Sequence, residues 1–120
     1  MARTTVEVIP LSGSTDGRGI KIAATSTPGT LLHTAVSGAG KLDRIYLHIY
    51  NSHTAGVAVT IQWGGTTSPD DEVKETIPFR SGLILVMPGL ILRNGLELRA
   101  FAGTTNVLVA HGEVERATVE

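Results

Sequence analysis

Apolar and polar residues alternate most regularly over residues 42–50, where Asp43, Ile45, Leu47 and Ile49 share one parity and Leu42, Arg44, Tyr46, His48 and Tyr50 the other. A period of two belongs to a strand with one buried face, so Ile45, Leu47 and Ile49 are expected in a core. Beyond a polar turn at 51–56, Val57, Val59, Ile61 and Trp63 alternate with Ala58, Thr60 and Gln62, and this run reads as the antiparallel neighbour of the first. Shorter runs predict strands over 5–10, 19–25, 30–36, 72–79, 83–87, 96–101 and 107–115, with Ile20, Ile22 and Ala24 on one face of the second and Leu96, Leu98 and Ala100 inward on the eighth.

The punctuation between these runs predicts their connections. Residues 12–17, Ser-Gly-Ser-Thr-Asp-Gly, read as a mobile loop, and Pro28-Gly29 suggests a hairpin between the second and third strands. Pro78, which has no N–H for a ladder, places 72–79 near a sheet edge. Pro88-Gly89 and Asn94-Gly95 read as turns, the second a strong hairpin dipeptide. No stretch sustains a 3.6-residue period. The expected fold is all-β: a two-sheet antiparallel β-sandwich, jelly-roll-like, of about eight strands.

Composition narrows the class without naming a function. A chain of 120 residues fits one domain, expected to span 1–120 with a short flexible N-terminal arm at about residues 1–5, because two domains would each approach the ~50-residue floor for a core. With 42% hydrophobic and 18% charged residues the chain is expected to fold on its own. Zero cysteines exclude disulfides, thiol nucleophiles and thiolate metal sites. A net charge of −1 offers no general attraction for nucleic acid or an anionic membrane, so neither is an expected partner. The longest apolar run, 83–92, is far below the ~20 residues of a spanning helix, and residues 1–13 hold no signal-peptide core; a soluble protein is expected.

The tests for catalysis find no matching context. Gly13-Ser14-Thr15-Asp16-Gly17 is not a nucleophile elbow and no helix follows it; Gly38-Ala39-Gly40-Lys41 lacks the Ser/Thr and helix of a phosphate loop and reads as a hairpin turn. His33, His48, His53 and His111 include no His-x-His pair to place two imidazoles on one strand face, so surface or loosely packed histidines are expected. Asp70, Asp71, Glu72 and Glu75 lack a calcium-loop spacing and read as a solvated loop. No enzyme, metal or cofactor is expected.

Two features point to contact instead. Arg44, Tyr46, His48 and Tyr50 form an outward stripe of planar, hydrogen-bonding side chains of the kind enriched at protein interfaces. In the run 83–92 both parities are apolar, so both faces need covering, and a second subunit is expected over Leu83, Ile84, Val86, Leu90 and Ile91. A homo-oligomer follows.

Ile77-Pro78 and Gly82-Leu83, then Met87-Pro88-Gly89-Leu90, Arg93-Asn94-Gly95-Leu96, Leu98-Arg99-Ala100-Phe101-Ala102 and a closing strand over 106–116 give the chain a texture that resembles small structural proteins of tailed bacteriophages. The nearest group is the capsid cement or decoration proteins, and the resemblance covers most of residues 20–116. It implies a non-enzymatic virion protein on the capsid surface, assembled in the host cytoplasm, that binds the major capsid protein or another virion protein and staples the head, with a trimer as the favoured homo-oligomer. It also implies that the N-terminal arm and the loop at 12–18 touch the capsid. The alternative reading is a carbohydrate-binding β-sandwich of a phage fibre, baseplate or lectin-like kind, in which Tyr46, Tyr50 or Trp63 stacks on sugar rings.

Overall fold

The computed structural model describes residues 3–119. Among these, nine strands form and no helix: β1 (Thr4–Pro10), β2 (Ile20–Lys21), β3 (Thr30–Thr34), β4 (Lys41–Asn51), β5 (Val57–Trp63), β6 (Glu72–Ile77), β7 (Ile84–Leu92), β8 (Glu97–Ala102) and β9 (Leu108–Val119). One antiparallel sheet has the order β1-β9-β4-β7, with the short β2 also pairing β9, and the other has the order β3-β8-β5-β6. Leaving β2 aside, the chain crosses from sheet to sheet at nearly every connection, and these two orders are those of a jelly roll.

The core is built by the alternation read from the sequence. Ile45, Leu47 and Ile49 of β4 are fully buried against Val59 and Ile61 of β5, Leu98 and Ala100 of β8, and Leu108, Ala110 and Val114 of β9. At roughly 1.5–3 kcal/mol per fully buried aliphatic side chain, this two-sided layer is the main stabilising term. Val57 to Trp63 do pack opposite β4, but from the facing sheet rather than as its ladder neighbour; β4 pairs β9 and β7.

Among the described residues only β5 and β6 are consecutive strands that pair with each other, so the other expected hairpins do not form. Asn94 and Gly95 both adopt left-handed backbone, with φ of 62° and 71°, as their turn chemistry predicts. They nevertheless carry the chain from β7 to β8 across the sandwich. A tight turn fixes a reversal, and the burial of both flanking strands then decides whether they share a sheet or face each other. The strand expected at 19–25 shrinks to Ile20–Lys21 on β9, and β3 pairs β8 instead of β2. The segment then leaves β9 for the facing sheet: the Ala102 N–H donates to the Ala24 carbonyl at 3.0 Å, and Gly29 approaches β8 so closely that a Cβ there would lie 2.6 Å from the Ala100 backbone.

Further expectations are corrected. The loop expected at 12–17 is tied to β3 at its start, where the Gly13 N–H donates to the Leu32 carbonyl at 2.9 Å, and is exposed from residue 15 to 18. Thr4 and Thr5 belong to β1, while residues 1 and 2 of the expected arm lie outside the described residues. Leu96 precedes β8 and is exposed. Pro88-Gly89 does not end its strand; β7 runs through it, absorbing it in register shifts against β4. The edge position of β6 is as expected.

Candidate functional site: the outer face of the five-stranded sheet

The outward parity of β4 projects Arg44, Tyr46, His48 and Tyr50 from the centre of the β1-β9-β4-β7 sheet. In register on β9 stand Glu115 opposite Arg44, Glu113 opposite Tyr46, His111 opposite His48 and Val109 opposite Tyr50. The Tyr46 hydroxyl donates to Glu115 Oε1 at 2.6 Å, and Arg44 Nη1 donates to the Gly89 carbonyl at 2.8 Å. The hydrogen bond to Glu115, then burial and the Glu115 charge, raise the Tyr46 phenol above its ordinary value. Tyr46, His48, Glu113 and Glu115 line an open depression of about 240 Å³.

Gly89 makes this arrangement possible. Its φ is +105°, and a Cβ would meet the Tyr46 ring at 2.8 Å, so the ring lies against bare backbone. The residue that looked like turn punctuation is therefore the floor under the central tyrosine.

On β7, Leu85 stands opposite His48, Pro88 opposite Tyr46 and Ile91 opposite Arg44. The stripe on β4 and the apolar run on β7, expected as two separate contacts, thus lie side by side on one face. Their burial differs from expectation in detail: Leu83, Leu90 and Ile91 are exposed, whereas Ile84 and Val86 pack against the core. Leu85, which the expected contact omitted, is 51% exposed. Register shifts in β7 break the simple parity count, so alternation alone misassigns these neighbours. Across β9, Val8 opposite Glu115 and Val6 opposite Ala117 expose further apolar surface, giving the polar centre two apolar flanks.

A second constellation was not expected. His33, expected as a surface or loosely packed histidine, is fully buried, and its Nε2 lies 2.7 Å from Asp43 Oδ2, which is also fully buried. Arg116 donates to both Asp43 oxygens, at 2.8 and 3.0 Å, and the Val36 N–H adds a bond at 3.0 Å. The Ser12 N–H donates to His33 Nδ1 at 2.9 Å, which assigns the ring proton to Nε2. The Ser12 hydroxyl accepts the Thr34 N–H, so serine, histidine and aspartate meet here as a bracket between sheets, with both imidazole nitrogens committed. The signal in the sequence was Asp43 itself, a carboxylate on the buried parity of the most regular strand.

The other candidates disperse. His48 and His111 are cross-strand neighbours, but among the described residues no three His, Asp or Glu side chains group to hold a metal ion. Asp71 Oδ2 accepts the Thr67 N–H within its own loop, and the Ser14 hydroxyl donates to the Arg18 carbonyl at 2.6 Å. Trp63 packs against the core. No family model, curated protein or solved structure matches the chain.

Proposed function

We propose that the chain is a non-enzymatic virion structural protein, a capsid cement or decoration protein that binds the assembled head through the outer face of its five-stranded sheet. One observation carries the reading: exposed Val6, Val8, Leu85 and Ile91 flank a polar centre of Arg44, Tyr46, His48, Glu113 and Glu115 on a single face. Apolar flanks supply area, and a preorganised Arg–Tyr–Glu centre supplies register, the combination expected of a protein contact. In this reading the head covers the polar centre and the Val6–Val8 flank, while the β7 flank of Leu85 and Ile91 meets neighbouring copies, with a trimer as the unit. The carbohydrate-binding alternative has less support, because Trp63 is packed against the core and the Tyr46 ring lies against the Gly89 backbone.

The test is binding of the purified chain to expanded empty capsids, beside a glycan array. Capsid binding weakened ~10-fold or more by Tyr46→Ala supports the proposal. Sugar binding without capsid binding overturns it in favour of the carbohydrate module.

A further inference from the structure

The two sheets have four edges, and three of them are guarded. Pro88 removes a donor from the middle of β7, whose ladder with β4 is also broken by register shifts. Glu72, Lys74 and Glu75 put charge along β6. The segment at 11–14 covers β3 through the Gly13 N–H to Leu32 carbonyl bond and the Thr34 N–H to Ser12 hydroxyl bond. β1 differs: Thr4 to Val8 are all exposed, including Thr5 and Glu7 on the parity that faces the other sheet.

The bonding pattern tells which groups of β1 are free. The Val119 N–H donates to the Gly40 carbonyl on the β4 side, and the Ile22 N–H donates to the Leu108 carbonyl on the opposite side. Odd residues of β9 therefore bond toward β4 and even residues toward β1 and β2. Because Thr5 pairs Thr118 and Glu7 pairs Arg116, Thr5 and Glu7 bond inward to β9. The N–H and C=O groups of Thr4, Val6 and Val8 point to the open edge, and among the described residues no turn or loop bond uses them. Pro10, in the same parity, closes the strand without sacrificing a ladder bond.

We propose that β1 pairs antiparallel with β1 of a second copy of this chain, about a two-fold axis at Thr5, joining the two five-stranded sheets into one. The choice of partner rests on self-complementarity. Centring on Thr5 sets Thr4 opposite Val6 twice, each pair exchanging both backbone bonds, and sets Arg3 opposite Glu7 twice beside a Thr5–Thr5 pair. Centring on Val6 also pairs open groups but sets Arg3 opposite Ile9 and forgoes the two charge pairs, and centring on Glu7 opposes two carboxylates, so the Thr5 axis is favoured. The contact lies at the sheet edge remote from β7, so it does not compete with subunits meeting there.

The experiment is light scattering after size exclusion at about 0.1 mM, where a small interface of the transient class is populated, in the Leu85→Asp background so that β7 does not hold copies together. Twice the chain mass of 12.6 kDa is expected. Val6→Pro deletes a donor on the open edge and leaves the β9 ladder intact, so it should return the monomer mass with an unchanged circular dichroism spectrum. Arg3→Glu should also give the monomer, and Arg3→Lys should keep the dimer. A monomer before these changes, a dimer that survives Val6→Pro, or equal behaviour of the Glu and Lys variants overturns the proposal.

Discussion

Asp43 on β4 and His33 on β3 meet at 2.7 Å between the two sheets, both without solvent exposure, and Arg116 on β9 closes the same carboxylate from the rim. A buried charge is tolerable here because each carboxylate oxygen has a donor. Removing the charge while keeping the shape leaves Arg116 facing a neutral amide and His33 with a weaker acceptor. Asp43→Asn is therefore expected to cost about 3 kcal/mol and to lower Tm by roughly 10 °C or more. Urea unfolding followed by circular dichroism measures it, and a midpoint within error of the wild type would show that the bracket is energetically idle.

The same group sets an acid limit. Burial pushes the Asp43 carboxyl up, and the hydrogen bonds from Arg116, His33 and the Val36 N–H outweigh it, so the net displacement is downward. A carboxylate lowered in the folded chain adds stability at every pH above its unfolded value near ~3.9 and loses it as pH falls through the folded value. Wild-type stability should thus fall away below about pH 4 more steeply than that of Asp43→Asn. Parallel curves for the two proteins would remove Asp43 as the cause.

Gly89 and Tyr46 supply a spectroscopic check on the outer face. Gly89→Ala adds a methyl 2.8 Å from the ring at a φ of +105°, strained for any other residue, and should drive the hydroxyl off Glu115. The chain has only two tyrosines, so comparison with Tyr46→Phe isolates the Tyr46 contribution to tyrosinate absorbance. The phenol titrating above the ordinary range should vanish in Tyr46→Phe and move down in Gly89→Ala. If Gly89→Ala leaves it in place, the ring does not depend on that floor.

What the sequence made legible follows from how local each constraint is. The inward set Ile45, Leu47 and Ile49 and the edge position of β6 are encoded in a few adjacent residues. The pairing of β3 with β8 is not, because Pro28-Gly29 specifies a bend while the contact of Gly29 with Ala100 decides where the bend leads. The outer stripe of Arg44, Tyr46, His48 and Tyr50 was readable from parity; its junction with β7 was not, since register shifts near Val86 and Gly89 exchange inward and outward positions. His33 was misplaced because its partners stand 10 and 21 residues away, at Asp43 and Ser12, and no local pattern marks a histidine whose two nitrogens are satisfied from elsewhere.

The distinction between Ile84 and Leu85 gives the sharpest test of whether β7 holds copies together. Ile84 stands opposite Ile49 and packs on the core, so Ile84→Asp buries an unpaired carboxylate and should cost ~3 kcal/mol or more, destabilising the subunit before any interface is probed. Leu85 stands opposite His48 on the outer face, and Leu85→Asp should change subunit stability by no more than ~0.5 kcal/mol. If copies meet over Leu83, Leu85, Leu90 and Ile91, Leu85→Asp must lower the mass seen by light scattering while its thermal melt overlays that of the wild type. An unchanged mass would mean that this apolar flank is open to some other partner, and the contact between copies would then have to be sought elsewhere on the sheet.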